Sequence, residues 1–314
     1  MIPKFKLKNF FHTHGKLLLT GEYFILYGSY GLAVPTIRGQ SLTTYYGKIK
    51  NKGSVLRWKS LNEKNQPWFK CIFLLPSLDI CYNTEKKTAL KLRNLLLESR
   101  KLQKKFLKDS FEIYVKTKLE FPINWGLGSS STLINNIARW AKVNPYGLLE
   151  KNFLMGSGYD IACGSNKTPI LYRIKNKKPH IIPINFNPPF KEKLFFLHLN
   201  KKQNTFEGIR FFLSKKKNIS REKINSISFI TQKITFCKTL KEFEELLIQH
   251  EIIIAKILDL PTVKEIYFTD YLGVVKSLGA WGGDFVLISY RNGMKKYFSN
   301  KGYHTILSFD EMIF

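Results

Sequence analysis

The chain has few acidic residues, few cysteines and no long hydrophobic run, and each shortage narrows what it can be. Asp and Glu total 23 against 51 Lys and Arg, a formal charge of +28. An imbalance of that size points to an anionic partner: nucleic acid, an anionic membrane surface or a phosphorylated small molecule. The 4 cysteines, Cys71, Cys81, Cys163 and Cys237, include no CxxC pair, which excludes a zinc ribbon and a thioredoxin-type redox motif. So few thiols in 314 residues read as a reduced, cytoplasmic protein. No apolar run approaches bilayer length. The basic start, Met1 to Lys8, is not followed by an apolar segment of the signal-peptide kind.

What the sequence does contain is ordinary globular material: 44% hydrophobic, 24% charged and 14% aromatic residues. A chain of 314 residues has enough length for one or two domains with a sizeable core. The first sixty residues look β-rich, with Lys16–Thr20 closed by Gly21 and a β-branched, aromatic run over Ser41–Tyr46. From Glu85 to about Leu107 apolar residues recur at helical spacing, and Phe111–Val115 reads as a strand. Leu133, Ile134, Ile137 and Ala141 predict a helix after a glycine- and serine-rich turn. The stretch from Lys175 to Pro189 reads as a loop and places a domain boundary, giving domains 1–184 and 185–314. Beyond it come a strand over Leu194–Leu199 and helices near Phe206–Leu213, Arg221–Phe236 and Leu240–Leu258. A strand over Phe285–Ile288 and a short β-like tail follow. Strands and helices mixed without strict alternation predict an α+β chain in two lobes.

Several familiar sites are missing. There is no GxxxxGK[ST] loop, since Gly15-Lys16 is followed by Leu17. GxGxxG is not completed at Gly126, and neither an HRD nor a DFG triplet nor a GxSxG elbow occurs. His12 and His14 have no matching ligand cluster and read as a strand-edge pair.

The positive signal is the turn Gly126-Leu127-Gly128-Ser129-Ser130-Ser131. Glycines let a backbone approach a ligand closely. A helix starting there would aim unpaired N–H groups and its positive dipole end at an anion. The serine hydroxyls suit phosphate oxygens or a magnesium ion. An ordinary glycine turn with a serine N-cap accounts for the same residues equally well.

Three segments taken together break the tie. His14-Gly15-Lys16-Leu17-Leu18-Leu19-Thr20-Gly21-Glu22-Tyr23, with Gly28 and Ala33-Val34-Pro35, resembles the first motif of the GHMP kinase superfamily. That superfamily takes in galactokinase, homoserine kinase, mevalonate kinase and phosphomevalonate kinase. Asn124–Ser131 resembles its phosphate loop, and Lys276–Asp284 its third, C-terminal glycine motif. The three occur in the family's order and span nearly the whole chain. Gly158-Tyr159-Asp160-Ile161-Ala162, with the block from Gly15 to Leu42, looks closest to the bacterial "GYDIA" branch, near the mevalonate and phosphomevalonate kinases.

The resemblance implies a two-lobed kinase fold, with an N-terminal domain like the second domain of ribosomal protein S5 and a ferredoxin-like C-terminal domain. It implies transfer of the γ-phosphoryl group of ATP, with Mg2+, to a hydroxyl or phosphate acceptor such as mevalonate or phosphomevalonate. Asp160 matches the catalytic aspartate and Lys16 the motif lysine. Gly126, Leu127, Gly128, Ser129, Ser130 and Ser131 would hold the phosphates. Glu22, Tyr23, Gly279, Ala280, Gly282 and Gly283 would line the acceptor side. Ser130 and Glu150 would bind the magnesium ion. The implied partners are ATP and a small-molecule acceptor, not nucleic acid or membrane, for a cytoplasmic monomer or homodimer.

Each assignment has a plainer counterpart. Asp160 after two glycines also suits a turn. Lys16 is one lysine among many, Glu150 suits a solvated helix end, and Tyr23 suits a buried packing position. Lys201 and Lys202, placed where relatives contact substrate, read more simply as a solvated pair. Asn124 stands for a usual loop glycine, His14 for a usual proline, and Trp281 for a glycine of the third motif. Trp281 either stacks on a ligand or crowds the pocket. Together, Asn124 and Trp281 leave open a non-catalytic protein of the same fold that binds nucleotide or metabolite. Nucleic-acid binding rests on charge alone, with no RNP-like motif and no dense basic tail. The lysine pairs are scattered along the chain, so the excess reads as compositional background.

Overall fold

The computed structural model describes residues 6–47, 54–108, 111–151, 156–203, 205–215 and 219–314. The chain forms two compact units that interleave in sequence. The first takes residues 1–15, 38–123 and 128–154; the second takes 16–37, 124–127 and 155–314. Residues 184 and 185, where the sequence places a boundary, both fall in the second unit.

Two long strands, β1 (Lys6–Thr20) and β2 (Gly31–Gly47), supply residues to both units. The rest of the first unit is β3 (Ser54–Leu61), β4 (Pro67–Leu75), β5 (Ile80–Asn83), α1 (Lys86–Leu102), β6 (Glu112–Leu119), α2 (Ser129–Ala141) and α3 (Pro145–Lys151). Its strands lie in the order β5-β4-β3-β6-β2, and the β3–β6 pair is parallel while its other registered pairs are antiparallel. Glu85 caps α1, accepting from the N–H groups of Lys87 (2.9 Å) and Thr88 (2.6 Å). Leu92, Leu95 and Leu96 form its buried stripe, as their spacing predicts.

The second unit contains α4 (Tyr159–Ser165), β7 (Ile170–Lys175), β8 (Lys178–Pro183), β9 (Leu194–His198), α5 (Thr205–Ser214), α6 (Arg221–Ile234), α7 (Leu240–Leu258) and α8 (Val263–Tyr267). These are followed by β10 (Val275–Ser277), β11 (Phe285–Ser289), α9 (Met294–Asn300), β12 (Ile306–Ser308) and α10 (Phe309–Met312). An antiparallel sheet in the order β10-β11-β9-β12 packs Leu197, Val286 and Ile288 against Phe268 and Phe298. A second cluster gathers Tyr23, Phe24, Phe212, Ile227, Ile254 and Trp281 on the helices. A third joins Leu18, Ile25, Ala162, Cys163 and Tyr172 behind α4.

The fold class is α+β, as the sequence predicts. Two expectations fail. The stretch after Ile288, read as a short β-like tail, carries α9 and α10 beside the three-residue β12, and Lys175–Pro189 is not all loop. β7 and β8 form a hairpin whose two-residue turn, Asn176-Lys177, has φ of 50° and 59°. Paired positive φ values give the turn that matches strand twist. The lysines and prolines around it hide the strand pattern, because β8 is mostly exposed and carries little apolar alternation.

Candidate active site

Within the second unit, the end of β1 brings Lys16 beside the chain segment Asn124–Leu127. The Lys16 N–H donates to the Leu127 carbonyl (3.0 Å), and its ammonium Nζ donates to the Gly126 carbonyl (2.9 Å). The same ammonium lies 5.7 Å from the centre of the Tyr159 ring. Burial pulls the Lys16 ammonium toward the neutral form, but Tyr159, Asp160 and Asp284 outweigh it, so the group titrates above the ordinary lysine value. Lys16 is therefore a standing positive charge and not a base.

Asp160 sits in the first turn of α4, which Gly158 opens in left-handed conformation (φ 77°) with no side-chain cap. One of its oxygens accepts from the Ile161 N–H (3.0 Å). Asp160 and Lys16 thus share one neighbourhood, from segments 144 positions apart.

From Leu127 the chain enters the first unit and becomes α2. Gly128, not a serine, occupies the N-cap position with φ 87°, and α2 has neither a side-chain cap bond nor an acidic residue in its first turn. The helix opens with Ser129, Ser130 and Ser131, and the first helical bond shown runs from Thr132 N–H to Gly128 O (3.0 Å). Orphan N–H groups at a start of this kind make an anion site. Ser131 Oγ donates back to Gly128 O (2.9 Å), while Ser130 is exposed. A hydroxyl oxygen such as that of Ser130, with phosphate oxygens, is the hard donor set that magnesium takes. Among the described residues no group of three or more His, Cys, Asp and Glu is arranged to hold a metal ion. Glu150 lies in α3, and its side chain is outside the described residues.

The residues expected on the acceptor side divide into two sets. Gly279 and Gly282 are left-handed (φ 72° and 77°), and a Cβ at Gly279 would meet open space. Gly283 is pressed on Gln203, which leaves no room for a side chain there. Ala280 is buried. Glu22 and Tyr23, in contrast, point into the core. The Tyr23 ring stacks on Phe212 (4.9 Å between centres), and its hydroxyl accepts from the Trp281 N–H (2.8 Å). Burial pushes the Tyr23 phenol up to about 12. Trp281 also donates through Nε1 to Pro261 O (3.1 Å), so it belongs to the helical core. Asn124 is not among the positive-φ residues, so its backbone has no need of glycine. Lys201 and Lys202 are exposed.

Glu22 belongs to a buried charged cluster that the sequence does not announce. Lys276 Nζ lies 2.7 Å from Glu22 Oε1 and 3.7 Å from Glu251 Oε1, and all three side chains are buried. His250 Nε2 accepts from the Gly21 N–H (2.9 Å), which puts the ring proton on Nδ1, and burial keeps this imidazole neutral. Burial, opposed in part by Lys276 and reinforced by Glu22, pushes the Glu251 carboxyl up to about 8. At neutral pH Glu251 is therefore held mostly as the carboxylic acid. His250 and Glu251 interrupt the apolar stripe of α7, the one visible trace of this cluster in the sequence.

A further residue at the site is Asp284, the last of the third glycine motif. Its φ is 52°, a left-handed value unusual for a residue with a side chain. A Cβ placed on Gly126 would overlap its carboxylate. His198, buried on β9, faces the same segment, with Nε2 3.4 Å from Asn124 O.

Comparison with solved structures then gives the fold its class. A mevalonate kinase from Methanococcus jannaschii matches with a TM-score of 0.65 at 16% identity, over 93% of this chain and 94% of that one. A phosphomevalonate kinase from Streptococcus pneumoniae, in complex with phosphomevalonate and AMPPNP, matches with a TM-score of 0.66 at 14% identity, over 94% and 96%. A galactokinase from Lactococcus lactis, complexed with galactose, matches with a TM-score of 0.65 at 14% identity, over 95% and 92%. The chain has the GHMP kinase fold along almost its full length. No family model matches it, and no curated protein matches it by sequence.

Proposed function

We propose that this protein is an ATP- and magnesium-dependent small-molecule kinase that transfers the γ-phosphoryl group to a hydroxyl or phosphate oxygen. The observation that carries the reading is the meeting of Lys16, the Gly126 carbonyl and Asp160, next in the chain to an uncapped, serine-rich helix start. Gly126–Ser131 would bind the nucleotide phosphates through backbone N–H groups and serine hydroxyls. Ser130 would hold the magnesium ion, with Glu150 as a second candidate; when bound, that ion neutralises charge on the transferred phosphoryl oxygens. Asp160 would take the proton of an acceptor hydroxyl or orient it for attack. Lys16, held charged, would offset the negative charge that develops during transfer. Gly279 and Gly282 would leave room for the acceptor, whereas Glu22 and Tyr23 would support the site from within the core.

For the acceptor, the motif resemblance favours mevalonate or phosphomevalonate, and galactokinase shares the fold, so the screen must be wider. Incubating the protein with ATP, magnesium and a panel of mevalonate, phosphomevalonate, homoserine and galactose, and measuring ADP release, tests the reading. Release with one acceptor, lost in Asp160→Ala while ATP still binds, is the expected result. ATP binding with no release for any alcohol or phosphate would replace the kinase with a binding protein.

A further inference from the structure

We propose that Asp284 is a positioning residue of this site, its carboxylate wedged against Gly126 so that the first peptide of the phosphate loop is fixed beneath the Lys16 ammonium. This inference rests on the kinase reading. Asp284 is held from three directions. Its N–H donates to Lys201 O (2.9 Å), and its carbonyl accepts from the Leu199 N–H (2.8 Å). Its Oδ1 accepts from the Gln203 N–H (3.3 Å), and Gln203 in turn donates through Nε2 to Trp281 O (2.8 Å). The adjoining Phe285 ring meets the edge of Trp125, 5.4 Å between centres, in the same loop segment. With the backbone and one oxygen tied, the other side of the carboxylate is presented to Gly126, which can be nothing larger than glycine for that reason.

The charge itself is the second argument. A half-buried carboxylate beside a loop that binds polyphosphate repels the ligand, and an asparagine would keep the Oδ1 hydrogen bond without that cost. Burial pushes the Asp284 carboxyl above the ordinary carboxylate value, and the Gln203 N–H, Lys16 and Lys202 pull it back toward the charged form, with the His198 ring on the same side. Lys16 in turn faces Tyr159 and Asp160 from α4, and Asp284 from the third motif. Two carboxylates therefore act on one ammonium, and Asp284 also touches the loop at Gly126.

The test compares Asp284→Asn and Asp284→Ala with wild type in the full-length protein, by two readouts that need no turnover. In the first, the pH dependence of Lys16 acylation by an amine-reactive ester is followed by mass spectrometry. Loss of one carboxylate should move the Lys16 titration to lower pH, with labelling near pH 9 rising about 3- to 10-fold in both variants. In the second, calorimetric ATP binding should weaken about 10-fold in Asp284→Ala, and Gly126→Ala should cost less affinity in that background than alone. Unchanged Lys16 labelling in Asp284→Asn, which keeps the side-chain shape, or wild-type ATP affinity in Asp284→Ala overturns the proposal. Wild type that fails to bind ATP overturns the kinase reading instead, and the labelling arm still decides the Asp284–Lys16 coupling.

Discussion

Lys16 shows how much one side chain's surroundings decide. It is one of many lysines, and only its placement separates it from the rest: Tyr159, Asp160 and Asp284 hold it charged while its Nζ engages the Gly126 carbonyl. Lys16→Met keeps the stem and removes the charge. The expected outcome is a 10²- to 10³-fold fall in kcat, the usual loss for one preorganised electrostatic contact, with the fold intact by circular dichroism. A fall in ATP affinity alone, with kcat unchanged, would move Lys16 from the transfer step to binding. Tyr23 illustrates the opposite case. Tyr23→Phe leaves the buried Trp281 N–H without its acceptor, which costs about 1–3 kcal/mol. Its melting temperature should drop, with ATP affinity within about 3-fold of wild type; unaltered melting would show that the hydroxyl bears no stability.

At the scale of elements, most of the chain is legible. The stripes of Ile227, Ile230 and Ile234 on α6, and of Phe243, Leu247 and Ile257 on α7, are buried as their spacing predicts. The helix after the glycine turn forms as the sequence predicts, but it starts earlier, taking in Ser129–Ser131 with Gly128 and not a serine at the N-cap. Failures have two causes. The β7–β8 hairpin is local, but exposure erases its pattern, whereas the parallel pairing of β3 with β6, Leu56 opposite Ile113, joins segments far apart in sequence. The start of α2 supplies an element-scale prediction. Gly128→Ala forces a side chain to φ 87° at the helix entry, so ATP affinity should fall at least 10-fold and the melting temperature should drop by a few degrees. Wild-type affinity in that variant would remove the loop from the phosphate site.

At the scale of the whole molecule, the buried Glu22–Lys276–Glu251–His250 cluster ties the Gly21 turn, α7 and β10 together, and it makes stability depend on pH. Glu251 starts from an ordinary value of 4.5 and is pushed up to about 8 in the folded protein. Between those two values the folded state keeps a proton that the unfolded chain has lost, so stability falls as pH rises through that window. Burial also raises Glu22, which acts in the same direction. Glu251→Gln should flatten the curve of melting temperature against pH and, above pH 8, melt several degrees higher than wild type. Parallel curves from pH 5 to 9 would show that Glu251 does not titrate in the fold. No described helix is long and apolar enough to cross a membrane, and the scattered lysines remain a general positive field that favours anionic ligands.

By itself the sequence determined the α+β class, the three helices α5, α6 and α7 and three glycine motifs, because local periodicity and glycine's conformational freedom are properties of neighbouring residues. Only the tertiary structure decided which charges meet. Glu22 turned inward to Lys276, Trp281 joined the core beneath Tyr23, and Asp284 came to rest against Gly126. Burial and electrostatic pairing between residues far apart in the chain leave no periodic mark, so folding alone sets them.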